Sequence, residues 1–304
     1  MEEGGQVEWF VHRFFERFGF DFRDYSRGSL ERRLLRILSI WKSPDLRDLY
    51  HRLQSDPSLV SVFVQQITVP FTTMFRDPGF FLELRRAVLP YLSTFPTIRV
   101  WIAGCATGEE AYALAILLKE CGLLERSLVY ATDLNPHVVE RASKGIFPVE
   151  NVRDFVENYV QSGGTEGLSA HYMANHGFVQ FDSVLRSRMV FSTHNLVSDS
   201  SFNSFQLILC RNVLIYFNRS LQNRVLDLFY ESLENAGYLG LGPRETIVFS
   251  TVSDRFQRTG PEKLWQKCKC CFTKHTDLII LTLECTIKRY LFLTTIKMCR
   301  KFFP

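Results

Sequence analysis

The sequence lacks the features that mark membrane-spanning and secreted proteins. Its longest apolar stretches, residues 111–118 and 278–283, are much shorter than the roughly 20 residues that cross a bilayer. Residues 1–6 have neither the basic start nor the apolar core of a signal peptide. We therefore expect a soluble protein of the reducing cytoplasm that does not insert stably into a membrane.

A strong excess of charge is also missing. Among 304 residues, 36 Lys and Arg are interleaved with 32 Asp and Glu, which leaves a net charge of +4. This balance is too mild to indicate a nucleic-acid partner, and we predict none. A content of 46% hydrophobic and 22% charged residues is typical of a globular protein with one large domain, or a medium domain and a small one. We expect a monomer.

Metal-ligand spacing is absent as well. Cys268, Cys270 and Cys271 lie close together, but no second pair with zinc-finger spacing follows them and His275 stands alone. We predict no metal. Residues 268–304 hold five of the eight cysteines and several lysines without a clear amphipathic period, so we expect an atypical tail there.

The pattern of residues 7–92 is helical. Leu30, Leu34 and Leu38 recur at four-residue spacing, which places them on one face of a helix. This part of the sequence predicts an all-helical N-terminal domain over residues 1–92.

Strands and helices alternate after Pro96. Residues 98–103 predict a strand, residues 109–119 a helix and residues 128–132 a second strand, and such a βαβ unit implies a parallel sheet. Further strands are predicted at 189–192, 205–210 and 238–241. A helix is predicted from about 220 to 233, with Gly237 as the residue that stops it. Residues 93–267 therefore indicate a doubly wound α/β domain.

An insertion is predicted within this α/β domain. Between residues 146 and 188 the sequence has more glycine, polar residues and short β-like pieces than one crossover needs. We expect a small subdomain at about 146–188.

A glycine turn joins the first predicted strand to its helix. Gly104 and Gly108 allow the backbone to approach a ligand, and the helix N-terminus offers amide donors. A plain βα turn explains the local pattern equally well. The turn lacks a G-x-G-x-x-G fingerprint and a phosphate-loop lysine, and Glu109 and Glu110 would repel a pyrophosphate. Acidic residues here suit a cationic ligand such as S-adenosylmethionine.

Asp133 ends the second predicted strand. It lies at the carboxyl edge of the sheet, where open α/β folds bind ligands, and a carboxylate there can accept both hydroxyls of a ribose. Capping of the following helix is the alternative role.

Five motifs occur together in sequence order. They are Phe71-Thr72-Thr73-Met74-Phe75-Arg76-Asp77-Pro78, the turn at 104–110, Asp133, His194-Asn195-Leu196, and Cys210-Arg211-Asn212-Val213-Leu214-Ile215-Tyr216-Phe217. This set resembles the CheR family of chemotaxis-receptor protein-glutamate O-methyltransferases, and the resemblance covers about residues 7–265.

The resemblance implies a fold and a site. The fold is a Rossmann-like methyltransferase domain that depends on S-adenosylmethionine, with an N-terminal all-helical domain and a small inserted antiparallel β-subdomain. The implied catalytic residues are Arg76 and Tyr216. The implied cofactor-binding residues are Thr72, Arg76, Gly104, Glu109, Asp133, Asn195, Leu196, Arg211 and Asn212. Taken singly, Arg76 could instead form a structural ion pair and Tyr216 could be a core aromatic.

The implied activity is methyl transfer to glutamate side chains, which gives glutamate methyl esters in bacterial signal transduction. The implied partner is a methyl-accepting receptor, whose helical cytoplasmic region carries the acceptor glutamates. No catalytic base pair is needed, because a glutamate with a pKa of about 4.3 is already ionised at neutral pH. A non-catalytic S-adenosylmethionine-binding scaffold is the alternative. A small-molecule or nucleic-acid methyltransferase ranks below both, since residues 210–213 do not form an Asn/Asp-Pro-Pro-Tyr-like turn.

Two further features bear on this interpretation. The basic cluster Arg27, Arg32, Arg33 and Arg36 either docks an acidic receptor helix or forms a solvated face. Pro70 replaces an asparagine that some family members have, so one polar contact to the cofactor is expected to be missing.

Overall fold

Apolar residues at helical spacing build the first part of the chain. The computed structural model describes residues 3–68 and 72–268, so the expectations for Pro70 and for the tail beyond Cys268 lie outside the described residues. The helices before the first gap are α1 (Glu3–Phe18), α2 (Arg27–Trp41), α3 (Leu46–Ser55) and α4 (Ser58–Thr68). The carboxylate of Asp45 accepts hydrogen bonds from the Arg47 and Asp48 amides and so caps α3.

The helical part has its own aromatic core. Phe10, Phe14 and Phe63 are fully buried, and their rings lie 4.8–5.7 Å apart. Leu30 and Leu34 of α2 face this core. The hydrophobic stripe of the sequence therefore holds α2 against the other helices.

Helices also form the connection to the sheet. They are α5 (Pro78–Glu83), a π-helical turn (Leu84–Val88) and α6 (Leu89–Leu92). Phe80, Phe81 and Leu84 are buried against the sheet, which anchors the connection.

Apolar strands separated by turns form the α/β part. The strands are β1 (Ile98–Ala103), β2 (Ser127–Asp133), β3 (Ile146–Pro148), β4 (Tyr172–Asn175), β5 (Phe178–Phe181), β6 (Met189–Thr193), β7 (Phe205–Cys210), β8 (Leu233–Leu241), β9 (Phe256–Arg258) and β10 (Leu264–Lys267). The helices are α7 (Glu109–Glu120), α8 (Pro136–Lys144), α9 (Val152–Gln161), α10 (Ser183–Arg186) and α11 (Arg219–Ser232).

The main sheet has seven strands in the order β6-β2-β1-β7-β8-β10-β9. Strands β6, β2, β1, β7 and β8 are parallel, whereas β10 pairs antiparallel with β8 and β9. The carboxyl ends of β1, β2 and β7 therefore meet at one edge, the place where open α/β sheets bind ligands.

A second, smaller sheet lies between β2 and β6 in the sequence. It contains β3, β5 and β4 in antiparallel pairing. Phe147 and Phe181 of this sheet pack against Tyr112 of α7. These observations confirm the predicted fold class: a Rossmann-like domain, an N-terminal helical part and a small antiparallel sheet.

One predicted boundary is wrong. The helix predicted over about 220–233 ends at Ser232, but the strand predicted from residue 238 begins directly at Leu233. Gly237 lies inside the strand, where a Cβ atom would come within 3.2 Å of the Gln206 carbonyl oxygen on β7. The glycine thus permits close strand pairing and does not end a helix.

No helix among the described residues is long and apolar enough to cross a membrane.

Candidate functional site

A cavity opens at the carboxyl ends of β1, β2 and β7. It encloses about 960 Å³, part of it open to solvent. The predicted site residues that line it are Thr72, Arg76, Gly104, Asp133, Asn195, Leu196, Arg211, Asn212 and Tyr216. Residues from the helical part, the glycine turn and the loops after β2, β6 and β7 therefore share one cavity, as the motif set predicts.

The glycine turn is fixed to the neighbouring strand. The amides of Gly104 and Cys105 both donate to the carbonyl oxygen of Thr132, at 2.8 and 2.9 Å. Gly104 has a φ of +80°, and a Cβ atom there would overlap with Val213, which lies in the turn after the neighbouring strand β7. Only glycine fits this position, so the backbone itself forms part of the wall.

Asp133 is held by backbone amides. Its Oδ2 accepts from the Ala106 amide and its Oδ1 from the Asn135 amide, both at 3.0 Å. Burial raises the pKa of Asp133, and these hydrogen bonds act in the opposite direction. Asn135, not Asp133, caps α8, because its side chain accepts from the His137 amide. Each oxygen of Asp133 keeps a lone pair that can accept from a ligand.

The two acidic residues that open α7 point to different places. Successive helical side chains are about 100° apart, so only one of them can face the cavity. Glu110 lines it, whereas Glu109 does not and accepts a hydrogen bond from the Thr107 hydroxyl at 2.6 Å. Burial raises the pKa of Glu109. The structure therefore places Glu110 in the cavity wall and Glu109 outside it, and contact of Glu109 with the cofactor stays a prediction.

Arg211 joins three segments beneath the cavity. Its Nη1 contacts Glu110 Oε2 at 2.7 Å, and its Nη2 contacts Asp77 Oδ2 at 2.6 Å and the Arg76 carbonyl oxygen at 2.9 Å. The guanidinium carbon lies 4.2 Å from the centre of the Phe80 ring. Arg211 lines the cavity, and its side chain connects the turn after β7 to α7 and to the residues before α5.

The helical part reaches the cavity through Tyr25, and its Arg33 packs on the cavity residue Tyr216. Tyr25 lines the cavity and its ring packs on Phe217 at 5.2 Å. The Ser26 amide donates to the Tyr216 carbonyl oxygen at 2.7 Å. The Arg33 guanidinium lies 3.9 Å from the centre of the Tyr216 ring and donates to the Ile67 carbonyl oxygen. These contacts hold Tyr216 between the helical part and the sheet.

The basic cluster of the sequence does not form one face. Arg33 is turned inward onto Tyr216, whereas Arg27 pairs with Glu31 and Arg32 donates to the Gly28 carbonyl oxygen. Arg32 and Arg36 are exposed. Arginines that are close in the sequence are separated in space, because α2 turns successive side chains to different sides.

The loop after β6 closes another side of the cavity. Leu196 and Val197 are buried there, and the Asn195 side chain accepts from the Val197 amide at 3.0 Å. His194 packs against the Trp101 ring. The loop thus offers an apolar surface with the Asn195 amide group beside it, which suits a flat base next to a ribose.

The sequence reasoning did not assign Tyr25 and Glu245 to the site. Tyr25 lies between α1 and α2, outside all five motifs, and no local pattern assigns it to the cavity. Glu245 lies outside all five motifs, although it organises the turn that carries Arg211 and Tyr216. Only its position after the last parallel strand could have drawn attention to it.

The donor set fits S-adenosylmethionine. Glu110 and Asp133 place carboxylates in the cavity and Arg76 and Arg211 place guanidinium groups there, a set that can pair with the sulfonium, the ammonium and the carboxylate of S-adenosylmethionine. Within residues 3–68 and 72–268, the Nδ2 atom of Asn212 is buried and has no hydrogen-bond partner, so it can donate to a ligand. Among the same residues, no cluster of His, Cys, Asp or Glu has the geometry of a metal site.

Asp133→Ala is expected to weaken binding of S-adenosylhomocysteine by about 1–3 kcal/mol, the cost of losing a charged hydrogen-bond partner. Titration calorimetry in the presence of a chelator measures this change. Asp45→Ala is the matched control, because Asp45 also accepts two backbone amides but only caps α3. Equal affinities for the parent and Asp133→Ala would remove Asp133 from the site.

Comparisons with known proteins agree with this geometry. Residues 70–263 match the family model described as the CheR methyltransferase SAM binding domain, and residues 6–68 match the CheR methyltransferase all-alpha domain. The chain is 44% identical over 263 residues to Cher3 of Pseudomonas putida, a candidate methyltransferase, with 86% of this chain and 96% of Cher3 covered. It is 30% identical over 253 residues to the chemotaxis protein methyltransferase of Klebsiella aerogenes, with 81% and 84% covered. The corresponding protein of Listeria monocytogenes is 29% identical over 237 residues, with 76% and 86% covered.

Proposed function

Because the chain belongs to the CheR methyltransferase family, we propose that it methylates glutamate side chains of a methyl-accepting receptor protein. The acceptors are glutamates on the helical cytoplasmic region of that receptor, and the products are glutamate methyl esters. The reaction takes place in the cytoplasm. The observation that carries the proposal is that one cavity combines the family's motif residues from the helical part and from the sheet.

S-adenosylmethionine supplies the methyl group on a positively charged sulfur. A carboxylate oxygen forms a bond to the methyl carbon as the carbon–sulfur bond breaks, so opposite charges neutralise. Positioning and the exclusion of water are then the main contributions of the protein. A nucleophile that is already ionised needs no general base.

Each side of the cavity has a distinct task in this proposal. Asp133 accepts the ribose hydroxyls, and Glu110 provides negative charge for the cationic end of the cofactor. Arg76 orients the acceptor carboxylate, and Tyr216 lies beside the reacting oxygen. A planar guanidinium suits this task, since it can orient a carboxylate through two parallel hydrogen bonds.

Transfer of labelled methyl groups tests the proposed function. The purified protein is incubated with S-adenosylmethionine labelled in the methyl group and with membranes that contain candidate receptors. Label that mild alkali releases as methanol is expected, because carboxyl esters hydrolyse there and methylated amines do not. Label that enters receptor but resists alkali would contradict ester formation, and cofactor binding without transfer to any receptor would favour a binding scaffold.

A further inference from the structure

Glu245 is a buried carboxylate behind the cavity wall. The residue is 4% exposed and follows the end of β8 at Leu241. Its Oε2 accepts from the amides of Gly242 and Asn212 at 2.6 and 3.0 Å. Its Oε1 accepts from the amides of Val213 and Ile215 at 2.9 and 3.4 Å. Both oxygens of this side chain are thus used by backbone donors.

These donors belong to a turn with an unusual backbone. The chain leaves β7 at Cys210, and Asn212 adopts a φ of +62°, in the left-handed region. Three amides of the turn point toward the same carboxylate, an arrangement that binds anions. Without an acceptor, each buried amide would cost about 1–3 kcal/mol. The turn therefore depends on a group 30–33 residues away in the sequence.

The same turn carries much of the cavity. Arg211, Asn212, Val213 and Tyr216 line it, whereas Glu245 does not. Val213 packs directly on Gly104 in the turn after the neighbouring strand β1. A shift of the turn after β7 would therefore also disturb the turn after β1.

We propose that Glu245 is a positioning residue of the cofactor site, which sets the shape of the turn at residues 211–216 and through it the affinity for the cofactor. The inference rests on the proposed function only in taking the cavity as the S-adenosylmethionine site. Burial raises the pKa of Glu245, while the hydrogen bonds from the amides favour its ionised form. An uncharged amide side chain would have one acceptor oxygen in place of two and would direct an N–H group at backbone donors.

The test compares two buried carboxylates. Glu245→Gln is expected to weaken binding of S-adenosylhomocysteine about tenfold, the effect of losing one or two good hydrogen bonds to the binding wall. Glu120→Gln is the control, since the Glu120 side chain is 1% exposed and accepts from Arg85 and Tyr159 away from the cavity. Calorimetry is done at a temperature at which circular dichroism reports both variants as folded. Glu120→Gln is expected to lower Tm and to keep the parent affinity.

Glu245→Asp keeps the charge on a side chain one methylene shorter and serves if the glutamine variant does not fold. It is expected to lose affinity several-fold, but less than Glu245→Gln, because part of the hydrogen-bond set persists. Parent affinity in a folded Glu245→Gln or Glu245→Asp protein would overturn the proposal. Equal losses in Glu245→Gln and Glu120→Gln would overturn it too, since the effect would then be general destabilisation. Binding of S-adenosylhomocysteine needs no acceptor protein, so this affinity measurement can be interpreted even if no receptor is methylated.

Discussion

Replacing Arg76 by alanine is expected to lower the turnover of receptor methylation by about 100-fold, since misplacing a reacting group has effects of that size. Arg76 lines the same cavity as Tyr216 and Asn212, and it lies just before α5. We expect the loss in kcat and not in folding, because the guanidinium orients the acceptor carboxylate. Initial rates with labelled S-adenosylmethionine, together with circular dichroism of each variant, measure both.

Arg86→Ala is the matched control for this experiment. Arg86 lies in the π-helical turn after α5 and is exposed, so its removal deletes the same group outside the cavity. Its turnover should equal that of the parent. Tyr216→Phe tests the hydroxyl while the ring stays on Arg33. If Arg76→Ala and Tyr216→Phe both methylate receptor at the parent rate, the assignment of the two catalytic residues is wrong.

Arg211→Ala should be the most destabilising of the single substitutions considered. The Arg211 side chain is 1% exposed and contacts the carboxylates of Glu110 and Asp77. Glu110 is largely buried, and removal of Arg211 leaves it without a cation. Removing one partner of a buried ion pair typically lowers the free energy of unfolding by about 3–5 kcal/mol. We expect about 3 kcal/mol, because Asp77 is partly exposed and regains water. Urea unfolding measures the change.

Arg188→Ala provides the comparison for an exposed pair. Arg188 contacts Glu125 at 2.6 Å, but both side chains are well exposed. Its loss should cost about 0–1 kcal/mol. If Arg211→Ala unfolds at the same urea concentration as Arg188→Ala, the buried network does not hold the three segments together.

The sequence predicted the bounds of the buried strands β1 and β7 correctly. β1 and β7 begin and end as expected, because apolar runs stop at the glycine turn and at the polar residues after Cys210. The start of β8 was missed because Gly237 resembles a helix stop, while residues from Leu233 onward pair with β7 as a strand. Tertiary pairing outweighed the local preference there.

The site could be predicted only as far as its motifs reach. The family resemblance of the motif set predicted that Arg76, Asp133 and Tyr216 share one site, and all three line the cavity. Their spacing in the sequence alone does not predict this. The choice between Glu109 and Glu110 depends on the rotation of α7, and the inward position of Arg33 depends on how α2 packs. Both are properties of the folded protein. Glu245 is in the same class, since its partners are amides that carry no sequence signal.

The most direct test of the proposed function identifies the side chain that receives the methyl group. Receptor is incubated with S-adenosylmethionine and either the parent protein or Arg76→Ala, digested, and mapped by mass spectrometry before and after mild alkali. We predict methyl groups on glutamates of the helical cytoplasmic region, lost in alkali and strongly reduced with Arg76→Ala. Alkali-stable methyl groups on lysine, arginine or histidine would contradict the proposed reaction.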